Sequence, residues 1–205
     1  MNRSLYALVA LTLLGCAAET SGAGSFTQEE AEAELPPQTK IEDPGTTPPG
    51  TDGELSQGQF SLPSWMRVDV QPKSARFQQT YGLEAFRGKA MVVVLLEGYC
   101  PFCQSNSKLA QELNDELSAE GYDAQVVVLA DGYGSEFASR VTLPIFNDPD
   151  KSAWREMRPN AYKHDTYVFA PSGERTWFKA GTYRGEPGSW KAETGAAVRA
   201  VATKR

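Results

Sequence analysis

Ala90 to Leu117, AMVVVLLEGYCPFCQSNSKLAQELNDEL, is the stretch from which the rest of the chain can be placed. Its opening run, Met91 to Leu96, is apolar and rich in β-branched residues, with no polar alternation, so it predicts a strand buried on both faces. It is too short to span a membrane. Leu109, Leu113 and Leu117 then recur four residues apart, the spacing of one face of a helix. Between the two lies Gly98-Tyr99-Cys100-Pro101-Phe102-Cys103. Two cysteines therefore sit where a strand hands over to a helix, and the unpaired N–H groups and positive dipole end there favour a thiolate over a thiol.

Other uses of a Cys-x-x-Cys fit less well. A zinc site needs four ligands, usually a second Cys or His pair at similar spacing, and His164 is the single histidine. A plain staple across two residues removes little entropy from the unfolded chain. The pattern points to thiol–disulfide chemistry.

Upstream, Met1-Asn2-Arg3 precedes an apolar run from Leu5 to Leu14 and then Gly15-Cys16, the layout of a secretory signal spanning residues 1–15. Leu13-Leu14-Gly15-Cys16 resembles the bacterial lipobox, which implies that cleavage leaves Cys16 as a lipidated N-terminus. The expected location is the bacterial cell envelope, lipid-anchored and facing the periplasm or exterior. Of the three cysteines, an acylated Cys16 leaves only Cys100 and Cys103, so any redox cycle runs within that pair or through another protein.

The net charge of −6 gives a nucleic-acid role no electrostatic footprint. The stretch to position 59 is Ala, Glu, Thr, Ser, Gly and Pro with few large apolar residues, which cannot offset its ordering entropy. A disordered tether over 16–59 is expected, with a reach of roughly 35 to 40 Å.

A domain over 60–205 is predicted to begin where apolar density returns at Phe60, with a first strand or edge element on the alternation of Met66, Val68 and Val70. Gly121 is placed to end the cysteine helix, and Ala124 to Ala130 supplies a second buried strand, completing a parallel crossover unit. Then follow a short helix near Ser135 to Arg140, a strand-like Leu143 to Phe146, and a helix with Trp154 and Met157 inward. A hairpin of Thr166–Ala170 and Arg175–Lys179 turns at Pro171-Ser172-Gly173, and a helix from Ser189 to Thr203 closes the chain.

This order, with the redox pair at the first helix, resembles the thioredoxin fold: α/β, a central mixed sheet flanked by helices. Within that superfamily the chain is similar to the N-terminal domain of selenoprotein P over about residues 62 to 185. The shared signs are Pro63-x-Trp65, Gln71-Pro72, the Val92 to Leu96 run, the redox pair, Ser107-Lys108-Leu109, Glu120-Gly121-Tyr122, Trp154 and Lys163-x-Asp165. That family carries selenocysteine at the first redox position, where this chain has Cys100. Thioredoxins also carry a cis-proline before the hairpin strand, and the register puts His164 there.

The resemblance implies a thiol–disulfide oxidoreductase with Cys100 as nucleophile and Cys103 as resolving thiol. Tyr99, Pro101, Phe102 and Asp165 are expected beside the redox loop. The Pro-Phe dipeptide resembles glutaredoxin and periplasmic oxidant motifs, which implies an oxidising or isomerising direction. His164 is either a solvated loop residue or an imidazole beside Cys100, favouring the thiolate when protonated and relaying a proton when neutral. Glu97 is either an exposed strand-end charge or a group that opposes the thiolate or takes the proton of Cys103.

The expected partners are envelope proteins with thiols or disulfides and a separate redox partner. A monomer without a cofactor is expected. Two alternatives stand beside this: a Cu(I) carrier using Cys100, Cys103 and His164, similar to the copper chaperones of cytochrome oxidase assembly, and a selenoprotein P-like thiol peroxidase or reductase.

Overall fold

The computed structural model describes residues 61–181 and 187–205. The expected signal segment 1–15, Cys16, the tether 16–59 and Phe60 lie outside the described residues. No helix among the described residues is long and apolar enough to cross a membrane.

The run at Ala90–Leu96 forms β3, the central strand, and every one of its residues is buried. Its two faces feed two cores. Ala90, Val92, Val94 and Leu96 pack with Leu113, Leu117, Trp190 and Val198 on one side, and Met91, Val93 and Leu95 pack with Trp65, Phe146, Trp154 and Tyr167 on the other. Each such large apolar side chain contributes about 1.5 to 3 kcal/mol of burial.

Five strands make a mixed sheet in the order β5-β4-β3-β6-β7, where β4 is Ala124–Ala130, β5 Ile145–Asn147, β6 Thr166–Phe169 and β7 Arg175–Lys179. β3 runs parallel to β4, with Val92 opposite Val126, and antiparallel to β6, with Val93 opposite Tyr167. α1, Pro101–Ala119, and α3, Pro187–Val201, cover one face, and the short α2, Ser152–Met157, buries Trp154 and Met157 in the other core.

α1 begins with Pro101, whose missing N–H is no loss at a first-turn position. It ends at Gly121, which takes the left-handed φ of 81° while Tyr122 N donates to Leu117 O and Gly121 N to Ser118 O. That pairing satisfies two of the helix's last carbonyls and turns the chain into β4.

Two local expectations are corrected and a third is narrowed. The first strand or edge element expected from Met66, Val68 and Val70 forms as a two-residue edge strand. Only Arg67–Val68 (β1) pairs, with Thr80–Tyr81 (β2), and Met66 and Val68 are exposed. The residue that faces inward is Asp69, whose carboxylate accepts from Tyr81 Oη at 2.6 Å and from Gln71 N at 3.0 Å. The helix expected near Ser135 to Arg140 is a single 3-10 turn over Gly134–Phe137. The buried stripe of α1 starts polar, at Cys103, Asn106 and Ser107, with Leu109 only partly buried at its edge.

Candidate active site

Cys100 is the N-cap of α1, and its Sγ accepts the Cys103 N–H at 3.4 Å. Negative charge on this sulfur thus meets a helix N-terminus directly. It is half-buried, whereas Cys103 is fully buried behind it; both are unbridged thiols in this structure. Pro101 and Phe102 lie outward between them. Exposed Tyr99 rests on Tyr133 with ring centroids 4.5 Å apart.

The floor of the site comes from β3 and the loop before β6. Glu97, just past β3, donates its N–H to Cys103 Sγ at 3.4 Å. His164 brings Nε2 to 3.5 Å from the same sulfur, and its Nδ1 is 3.2 Å from Asn106 Nδ2. With His164 buried, the solvated-loop alternative is excluded. The two sulfurs and an imidazole nitrogen lie within 4.8 Å of one another.

His164 holds a left-handed φ of 69°, unusual for a residue with a Cβ. Neighbouring bonds keep it there: His164 N donates to Leu95 O at 2.7 Å, and Leu95 N to Asp165 O at 3.0 Å. The buried Asp165 carboxylate accepts from Arg158 Nη2 at 2.9 Å, Tyr162 N at 3.1 Å, Tyr167 Oη at 3.2 Å and Gly181 N at 2.7 Å. Gly181 is required by this approach, since a Cβ there would overlap the Lys163 carbonyl. Asp165 is therefore the hub that fixes the His164 loop against β3.

Burial pushes the Cys103 thiol well above its ordinary value, and its hydrogen bond with Cys100 adds to the rise against the opposing Glu97 N–H. Burial, then the Lys163 charge, holds the His164 imidazole below the ordinary histidine value, with Glu97 and Asp165 pulling weakly the other way. At neutral pH the ring is neutral. Its Nε2 is 3.5 Å from Cys103 Sγ, and a ring nitrogen also lies within 4.8 Å of Cys100 Sγ, so the imidazole expected beside Cys100 is there, in contact with Cys103 as well.

A cation that does couple to Cys100 is Lys163. Its ammonium is held above the ordinary lysine value first by the Glu97 carboxylate and, more weakly, by Cys100. Glu97 is gripped by Lys163 at 2.8 Å and Lys151 at 3.0 Å. Burial would raise its carboxyl, but the two lysines win and lower it. It is an ion-paired charge partly buried beside the site.

Sequence reasoning missed Asn106, Lys151 and Lys163. Asn106 carried a signal, a polar residue one helical turn past Cys103 on the face that Leu113 and Leu117 continue. Lys151 carried none and Lys163 only its place in the Lys163-x-Asp165 resemblance, because their proximity to Glu97 depends on loops that meet only in the fold.

No family model and no curated protein matches the chain by sequence. Among solved structures it is similar to a secreted Mycobacterium tuberculosis disulfide oxidoreductase homologous to E. coli DsbE, with a TM-score of 0.50 and 14% identity over 66% of this chain and 95% of that one. It is also similar to a thiol:disulfide interchange protein of the thioredoxin family from Chlorobium tepidum, with a TM-score of 0.50 and 16% identity over 69% and 95%. A third likeness is to the Xanthomonas campestris bacterioferritin comigratory protein, described for alkyl peroxide reduction, with a TM-score of 0.54 and 13% identity over 70% and 98%. The fold is thioredoxin-like. At these identities the likeness shows the fold, and the chemistry has to come from the chain's own residues.

Proposed function

We propose that this chain is a thiol–disulfide oxidoreductase of the bacterial cell envelope, tethered through a lipidated Cys16, acting on envelope proteins that carry thiols or disulfides. The proposal stands on the asymmetry of the two sulfurs. Cys100 caps the helix and reaches solvent, while Cys103 is buried behind it with its proton held tightly. The order of motifs shared with the selenoprotein P N-terminal domain supports the same chemistry, with Cys100 in the selenocysteine position.

In the reducing direction the Cys100 thiolate attacks a substrate disulfide, forming a mixed disulfide and releasing one substrate thiolate. Cys103 gives its proton to His164 Nε2 and attacks Cys100 Sγ. The Cys100–Cys103 bond forms, the bond to substrate breaks, and the second substrate sulfur leaves with the electron pair and a proton. Two electrons pass from the dithiol to the substrate. The reverse sequence oxidises a substrate dithiol. Glu97, held as a carboxylate by two lysines, is a poor acceptor for the Cys103 proton and serves to place Lys163 beside Cys100.

Replacing Cys103 with Ala is expected to trap mixed disulfides between Cys100 and partner proteins, seen as high-mass species that collapse on reduction. Trapping by Cys100→Ala instead would reverse the assignment. Two further measurements on the reduced protein separate the alternatives. A tight Cu(I) site that depends on His164 would favour the carrier, and fast turnover of hydrogen peroxide would favour a peroxidase.

A further inference from the structure

Asn106 lies one helical turn beyond Cys103, fully buried, in a stripe that continues through Ala110, Leu113 and Leu117. A buried amide without partners is costly, so its presence there needs a physical reason. Its Nδ2 meets His164 Nδ1 at 3.2 Å, and the other ring nitrogen, Nε2, is 3.5 Å from Cys103 Sγ. Its carbonyl oxygen Oδ1 has no hydrogen-bond partner. Amide, imidazole and sulfur form a line that ends on the thiol with the harder deprotonation.

We propose that Asn106 is a positioning residue for the resolving step, holding His164 so that Nε2 addresses Cys103 Sγ and deciding which ring nitrogen carries the proton. The inference rests on the dithiol chemistry proposed above. With Nδ2 against Nδ1, the ring nitrogen facing Asn106 accepts, so the proton of the neutral imidazole lies on Nε2 and is donated to a Cys103 thiolate. With the amide turned half a rotation, Oδ1 faces Nδ1–H and Nε2 presents its lone pair to the Cys103 thiol. The oxygen that is partnerless in the first orientation is the acceptor that the second one uses.

The step balances. Nε2 takes the Cys103 proton, and Oδ1 accepts from Nδ1–H of the resulting imidazolium. The thiolate attacks Cys100 Sγ, the Cys100–Cys103 bond forms, and the mixed-disulfide bond breaks with its electron pair on the departing substrate sulfur, which takes the proton from the ring. The charged and titratable groups around the ring are Cys103 and Cys100 at the start of α1, Glu97 beyond β3, and Lys163 and Asp165 on its own loop. All of them stay in place in the variants below.

The test is stopped-flow reaction of the reduced chain carrying Cys16→Ser, in which Cys100 and Cys103 are the two thiols left, with excess 5,5′-dithiobis(2-nitrobenzoate) from pH 4.5 to 9. The first thionitrobenzoate released reports attack by Cys100, and the second reports its displacement from Cys100 by Cys103. Asn106→Ala and Asn106→Leu are expected to leave the first phase unchanged and slow the second by about tenfold or more. Asn106→Asp places a carboxylate on Nδ1–H and is expected to raise the pH midpoint of the second phase by about one unit, which loss of packing would not do. Ser107→Ala, the next buried residue, whose hydroxyl bonds Gln104 O in its own helix, is expected to match the wild type in both phases.

Second phases at the wild-type rate and midpoint in the Asn106 variants would overturn the proposal. So would an unshifted midpoint in Asn106→Asp, since it would reduce Asn106 to a packing residue. A Cys16→Ser chain with Asn106 intact that releases one equivalent only would instead overturn the dithiol chemistry beneath it.

Discussion

Replacing His164 with Ala and, separately, with Gly should reverse the usual stability order of those two residues. His164 sits at a φ of 69°, where a Cβ crowds the following carbonyl at a cost of about 1 to 2 kcal/mol that glycine does not incur. The backbone is kept there by the His164 N to Leu95 O bond and by the bonds gathered on Asp165. Both substitutions remove the same imidazole and the same contact with Cys103, so the cost of the vacated space is nearly common to the two. At an ordinary position Ala is the more stable by about 0.4 to 1 kcal/mol, because glycine gives the unfolded chain more freedom to lose. Here the strain outweighs that effect, and His164→Gly should exceed His164→Ala by about 0.5 to 1 kcal/mol. Urea unfolding of the reduced proteins at pH 7 reads this as a midpoint higher by roughly half a molar at equal m. An Ala variant equal to or more stable than the Gly variant would refute a loop held in the left-handed conformation by its surroundings. Both variants should resolve mixed disulfides about a hundredfold more slowly than the wild type, since both lack the proton acceptor.

Two other outcomes are expected. Cys16→Ser should move the protein from the membrane fraction to the soluble one, and persistence in membranes after a salt wash would discount the lipid anchor. Glu97→Gln should alter acid stability in a defined window. Lys163 and Lys151 hold the Glu97 carboxyl below its ordinary value, so its contribution is fully present above the unfolded-chain pKa and is lost as pH falls through the lower folded one. The gap between wild type and variant, about 1 kcal/mol or less because the carboxylate and both lysines keep part of their surface in water, should be seen at pH 7 and should close as the pH falls towards 3. A gap that is the same at both pH values would contradict it.

Much of the architecture was legible because its signals are local. The uninterrupted apolar run of β3, the Cys-x-x-Cys before a helical leucine period, Gly121 past the last turn and the Pro171 to Gly173 hairpin turn each follow from steric or hydrogen-bond demands met within a few residues. The misreadings have the same root. Met66, Val68 and Val70 alternate as an edge strand does, but the strand that forms is two residues long, Met66 and Val68 stay exposed, and of the three only Val70 packs on the core. Ser135 to Arg140 carries some helical character, yet only one 3-10 turn forms before Val141 is drawn into the core.

The sequence by itself determined the central strand, the helix that follows it, and the two sulfurs at their junction, because neighbours along the chain decide all three. It also determined that His164 precedes the hairpin strand. Only the tertiary structure decided which sulfur the imidazole faces, that burial leaves it neutral, and that Lys163 supplies the charge beside Cys100. Only there does Asn106 meet His164 across 58 positions of chain. The reason is physical. A side chain's partners and its desolvation depend on which distant segments the sheet brings together, and residues far apart in sequence acquire a common electrostatic environment only when the core closes around them.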